Sequence, residues 1–141
     1  MTIRIETTTN NIPWQSVADL LAFYGLSEDA AAVQEKIFKN SFSVVFLFDQ
    51  NTLIGVGRTL SDGVCQAAIY NVALDKRYHG QGLGRVIIQS LIDTVAQCNI
   101  ILYTHPDTVG LYEHFGFRKM KTGMAKYRDE TLAELAAMAF I

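Results

Sequence analysis

The chain changes hydrophobic period several times. Residues 2–6 read as a short strand. After the polar stretch 7–11, Pro13 suits the first position of a helix that runs to about Tyr24, with Gly25 as its stop. Trp14, Val17, Leu20, Leu21 and Tyr24 recur at helical spacing. Ser27 stands where a cap belongs for a second helix over 28–39, with Val33, Ile37 and Phe38 inward. The pattern then becomes strand-like. Residues 42–48 and 52–58 predict a hairpin around Asp49-Gln50-Asn51, and Asp62-Gly63 turns the chain into a long strand over 64–74. A helix over 83–96, a strand over 100–104, a helix over 107–115, short strands near 117–121 and 124–128, and an alanine-rich helix over 132–140 follow. The order β-α-α-β-β-β-α-β-α-β is α+β, and with no linker or repeat it predicts a single domain over 1–141.

The most informative stretch joins the long strand to the next helix: Tyr78-His79-Gly80-Gln81-Gly82-Leu83-Gly84-Arg85. Glycines at alternate positions allow a sharp turn whose N–H groups point inward, and a helix starting there adds its positive end. Such a turn suits an anion, most simply a diphosphate. Alternatively it is a tight connection with no ligand. Two known glycine motifs fail on counting. A G-x-G-x-x-G pattern needs glycine where Arg85 or Ile87 stands, and the P-loop needs a Gly-Lys-Ser/Thr that the chain lacks.

What remains resembles the Q/R-x-x-G-x-G/A signature of the GNAT acyl-CoA N-acyltransferases. The lead-in Val72-Ala73-Leu74-Asp75-Lys76-Arg77-Tyr78-His79-Gly80 and the later Gly110-Leu111-Tyr112-Glu113-His114-Phe115-Gly116-Phe117 are similar to two further blocks of that family. The resemblance covers about residues 67 to 118. It implies a mixed central sheet of about six to seven strands flanked by helices, in which strands 64–74 and 100–104 splay apart to admit pantetheine. Acetyl-CoA would be the cosubstrate and no metal would be needed. Backbone groups of Val72, Ala73 and Leu74 would pair with the thioester and pantetheine, and His79, Gly80, Gln81, Gly82, Leu83, Gly84 and Arg85 would hold the diphosphate. His79 departs from the family's Arg or Gln. An unperturbed imidazole is mostly neutral at pH 7, so it offers less charge to a phosphate, or it simply packs on Tyr78.

The resemblance makes the reaction a direct acetyl transfer to a primary amine of a small molecule or protein. Tyr112 stands where the family keeps its general acid, although a tyrosine on an apolar helix face also suits a core. The base is less defined. Residues 65–71 hold no carboxylate or histidine, leaving His105 to act through water or to contact pantetheine, with Tyr70, Asn71 and Tyr103 ordering that water. The acceptor floor would draw on Phe23, Tyr24, Leu26, Glu28 and Asp29, a set that suits a cationic or aromatic amine and equally an ordinary amphipathic helix. A non-catalytic acyl-CoA sensor or regulatory subunit is the alternative.

Composition narrows the partners. A net charge of −2 argues against nucleic acid as the main partner, charged tRNA included. No apolar run reaches the ~18–20 residues of a membrane span, and the first residues lack a signal-peptide core, which predicts a cytoplasmic chain. Cys65 and Cys98 form no C-x-x-C pair and read as buried free thiols. The apolar residues between Leu132 and Ile141 predict a buried face, on the chain's own domain or in a homodimer.

Overall fold

A computed structural model describes residues 2–141. Its strands are β1 (Ile3–Glu6), β2 (Ser43–Asp49), β3 (Thr52–Ser61), β4 (Gln66–Leu74) and β5 (Asn99–Ile101). Its helices are α1 (Trp14–Phe23), α2 (Ala31–Lys39), α3 (Leu83–Thr94), α4 (Val109–Glu113) and α5 (Asp129–Ala137). Short 3₁₀ turns cover Lys76–Tyr78 and Pro106–Thr108. The chain divides into two compact units, Met1–Leu102 and Tyr103–Ile141.

The first unit is a five-stranded mixed sheet in the order β1-β2-β3-β4-β5. The first four strands pair antiparallel, and β4–β5 is parallel. β2 is apolar almost throughout because helices cover both of its faces. Val44, Phe46 and Phe48 join Val17 and Leu21 of α1 and Phe38 of α2 in one buried cluster. The alternate residues Val45 and Leu47 face the α3 side, where Ile87, Ile88 and Leu91 are buried.

Gly55 and Gly57 both lie close beneath α3. A Cβ at Gly57 would lie 2.8 Å from Leu91 Cδ1 and 3.0 Å from Ile87 Cγ2, so a side chain there would force those α3 side chains to shift. Gly57→Ala should lower unfolding free energy by about 1–3 kcal/mol, the range for overpacking, as read by chemical denaturation.

Several expected boundaries move. Ser27 caps no helix: its Oγ accepts from the Asp29 amide (3.2 Å) and from Gln34 Nε2 (2.9 Å), so α2 starts at Ala31. Cys65 is exposed in the turn before β4, not buried, and its thiol donates to the Asp62 carboxylate at 3.2 Å. That carboxylate also accepts from the amides of Val64, Cys65 and Gln66, which holds its pKa well below the usual carboxylate range.

In the second unit the predicted helix over 107–115 splits into the 3₁₀ turn and α4, ended by Gly116 at φ 90°. The predicted strands near 117–121 and 124–128 do not form, which leaves five strands among the described residues instead of six to seven. The segment carries Arg118, Lys119, Lys121, Lys126 and Arg128 with no intervening carboxylate, and pairing its halves would set like charges across the ladder. α5 begins three residues earlier than predicted, with Asp129 and Glu130 favourably placed in its first turn.

Candidate active site

β4 carries the first group of candidates. Its ladder to β5 stops after Gln66↔Asn99, Ala67↔Ile100 and Ala68↔Ile101, whereas its ladder to β3 continues to Gly55↔Leu74. Beyond Ala68 the β5-facing edge of β4 has no strand partner among the described residues, and Val72, Ala73 and Leu74 lie in that stretch. Backbone groups on an open edge need partners, which an extended polar arm supplies.

Asn71 interrupts β4 in the left-handed region (φ 57°), beside the register shift between Val56 and Arg58. Arg58 organises the bulge. Its Nε donates to Asn71 Oδ1 at 2.6 Å, and its guanidinium carbon lies 5.2 Å from the Tyr70 ring centre. Tyr70 and Asn71 thus meet around an arginine that sequence reasoning passed over, since Arg58 looked like an ordinary strand end.

β4 then runs into the glycine turn, which is anchored on two sides. The Tyr24 hydroxyl donates to the Leu74 carbonyl, and His79 Nε2 lies 2.9 Å from that carbonyl and 3.1 Å from the hydroxyl. A carbonyl only accepts, so Nε2 carries a proton and Nδ1 is the nitrogen left for a ligand. Tyr24 and His79 are near-parallel at 12°, with burial first and the Asp75 charge second raising the Tyr24 pKa. Tyr24, expected in the acceptor floor, therefore spends its hydroxyl on the loop, and the Leu74 carbonyl is already engaged. On the other side Tyr78 donates to Asp49 Oδ2 at 2.6 Å, while Arg77 pairs with Asp75 at 2.9 Å and holds its pKa down.

Gly80 and Gly82 have φ of 83° and 80°, a region costly for other residues, and Gly82 caps α3. A Cβ added at Gly80, Gly82 or Gly84 would meet nothing within 4 Å. The first amides of α3, from Leu83 through Gly84 and Arg85, have no partner inside the helix, and Gln81 and Arg85 are exposed beside them. This is a turn shaped for close backbone approach by an anion.

The second unit carries the remaining candidates. Tyr112 is buried on α4, and burial pushes its phenol up to about 12, partly offset by a hydrogen bond with Thr104. Its ring meets Phe117 edge-on at 5.8 Å. His105 precedes the 3₁₀ turn, where its Nδ1 accepts from the Asp107 amide at 3.2 Å and lies 3.5 Å from the Asp107 carboxylate. Phe140 packs against both His105 (5.7 Å) and Tyr103 (5.9 Å), and Tyr103 also meets Tyr127.

Tyr112 also sets an alkaline limit on stability. The folded phenol titrates near 12 against about 10 when unfolded, so stability is undiminished below pH ~10 and falls as pH rises toward 12. Denaturant titrations across that window should show a loss of up to about 3 kcal/mol from this group, and Tyr112→Phe should remove that part, leaving the smaller contribution of Tyr24, whose pKa is also raised.

The sequence profile of the acetyltransferase (GNAT) domain matches residues 15–130. The chain belongs to the GNAT acetyltransferase family. That match runs through both compact units. A protein of Glycine max named histone acetyltransferase TAP1 is 35% identical over 113 residues, covering 70% of this chain and 47% of the relative. An uncharacterized N-acetyltransferase ycf52 of Pyropia yezoensis is 36% identical over 93 residues, covering 61% and 53%. The chain thus spans about half the length of these relatives. Among solved structures, a GNAT acetyltransferase of Streptococcus pneumoniae superposes with a TM-score of 0.77 at 19% identity, covering 91% of this chain and 99% of the other. Glucosamine-6-phosphate N-acetyltransferase of Arabidopsis thaliana gives 0.73 at 16% identity, covering 92% and 100%. Both share the GNAT fold with this chain.

Proposed function

We infer that this GNAT chain moves an acetyl group from acetyl-CoA to a primary amine. The observation that carries the reading is one continuous path in the first unit: the open edge of β4 leads directly into the glycine turn and the amino end of α3. An extended arm with two amides fits the edge, and a diphosphate fits the turn. Val72, Ala73 and the Leu74 amide would hold the arm. The loop amides from Gly80 to Arg85, with His79 Nδ1 and the Arg85 side chain, would hold the phosphates.

Attack requires a neutral amine, and for a lysine-like amine at pH 7 losing the proton costs about 4–5 kcal/mol. His105 is our candidate acceptor for that proton, directly or through water: its Nδ1, the unprotonated nitrogen that accepts from the Asp107 amide, would take the proton and then face the Asp107 carboxylate 3.5 Å away. The attacking nitrogen forms the new C–N bond, the carbon–sulfur bond breaks, and the sulfur leaves as a thiolate. Tyr112 would donate a hydrogen bond to that sulfur. With a phenol near 12 against a thiol near 8.5, full proton transfer is uphill by about 5 kcal/mol, so solvent completes protonation. A phenol this weakly acidic remains a donor throughout the physiological range.

The relative named for histones and the structural neighbour named for glucosamine-6-phosphate both take amines, which supports an amine acceptor while leaving protein and small-molecule acceptors open. A cytoplasmic setting and a homodimer built through the C-terminal segment complete the proposal. The test follows free thiol from acetyl-CoA against a panel of primary amines, including a lysine-containing peptide. Amine-dependent thiol release supports transfer. Tight acetyl-CoA binding with no release on any amine would favour a sensor.

A further inference from the structure

Between Glu113 and Asp129 the second unit concentrates positive charge. Arg118, Lys119, Lys121, Lys126 and Arg128 stand there with no carboxylate among them. Setting these five aside from a net charge of −2 leaves the rest of the chain at −7. All five cations are exposed, and among the described residues Arg118, Lys119, Lys121 and Lys126 form no ion pair, while Arg128 reaches Glu130 only at 3.9 Å. Two large apolar side chains, Met120 and Met124, are interleaved with them at 64% and 99% exposure.

The backbone adds a second, independent feature. Residues 118–127 form neither helix nor strand, and among the described residues their amides donate no backbone hydrogen bond. The stretch is thus a run of unpaired main-chain groups, bent at Lys121 and Thr122 and flanked by cations and methionines. Such a run is completed by another extended chain, whose main-chain groups pair with it and whose carboxylates offset the repulsion that keeps it from closing on itself.

We propose that residues 118–128 are a docking strip for an acidic peptide segment, bound in extended form as an added strand. Nucleic acid suits the strip less well. The strip spans at most about 36 Å, bends at Lys121 and Thr122, and offers five cations, a small footprint for a polyanion. A phosphate backbone also cannot satisfy a row of peptide amides and carbonyls in register. Exposed methionines favour a partner that alternates apolar side chains with its acids. The surface is defined independently of acetyl transfer, so its test uses binding alone.

The probe is a fluorescein-labelled peptide of about a dozen residues alternating glutamate and valine, followed by anisotropy at low salt. Three controls accompany it: lysine replacing glutamate, a proline at the centre, and a single-stranded DNA of equal charge. The acidic peptide should bind, weaken with added salt, and lose at least about tenfold when Lys119→Glu, Lys121→Glu and Lys126→Glu are combined. Those side chains are exposed, so the variant's thermal melt should match wild type. The proline peptide and the DNA should each bind at least about tenfold more weakly than the parent. Equal binding of the lysine peptide, full retention by the charge-reversed protein, an unimpaired proline peptide, or tighter DNA binding would each overturn the proposal. So would a wild-type dimer that dissociates on charge reversal, because a second copy would then occupy the strip.

Discussion

Gly84→Val should weaken acetyl-CoA binding by about a hundredfold or more while leaving the melting temperature close to wild type. The three glycines of the turn are not equivalent as test sites. Gly80 and Gly82 sit at positive φ, so a side chain there strains the backbone whether or not a ligand binds. Gly84 lies inside α3 with ordinary helical geometry, and a Cβ there meets no protein atom within 4 Å. Valine is no worse than glycine as a helix former, so the fold has no reason to suffer. What valine would meet is whatever approaches the loop from outside. Its branched side chain would hold a phosphate off the amides of the first turn, removing several charge-assisted hydrogen bonds together. Calorimetric titration with acetyl-CoA reads this directly. A folded variant with unchanged affinity would end the diphosphate assignment.

Tyr112→Phe should lower kcat by about 10- to 1000-fold, the range for losing a positioned donor, with acetyl-CoA affinity nearly unchanged. A buried hydroxyl can also be structural, so the variant must separate the two roles. The local hydrogen bonding makes this possible. Thr104, the partner of the Tyr112 hydroxyl, also lies 2.6 Å from Thr108 Oγ1, and removing the phenol oxygen leaves it paired. The ring and its contact with Phe117 persist in phenylalanine. Stability at neutral pH should change little, and a large fall in kcat then reports on chemistry. Turnover within about twofold of wild type would make Tyr112 a packing residue.

The elements of the first unit were legible because each carries its own period and its own stop. α1 ends at the glycine that the sequence marks, and the hairpin at Asp49-Gln50-Asn51 turns where predicted, with Gln50 at φ 54°. The glycine turn was readable from spacing alone. Its anchoring was not: Tyr24 and His79 are 55 residues apart, and nothing local says that both will meet the Leu74 carbonyl. Arg58 escaped for the same reason, because its role arises only across the sheet. Ser27 misled because a hydroxyl that can cap a helix can equally close a turn on Asp29 and Gln34. The strands expected near 117–121 and 124–128 do not form; a hairpin turning at Thr122-Gly123 would set Lys119 opposite Lys126, a like-charge pair that the β pattern alone does not register.

β4 is one strand with two different edges, and this gives it two different exchange clocks. Amides directed at β3 are locked into a long antiparallel ladder and should trade hydrogen for deuterium only through large openings of the sheet. Amides past Ala68 that are directed at the gap have no such lock and should trade rapidly in the free protein. If pantetheine lies along that edge, saturating acetyl-CoA should slow this second set selectively and leave the first set untouched. Residue-resolved exchange along nine consecutive positions would then trace the ligand's path without any turnover being measured.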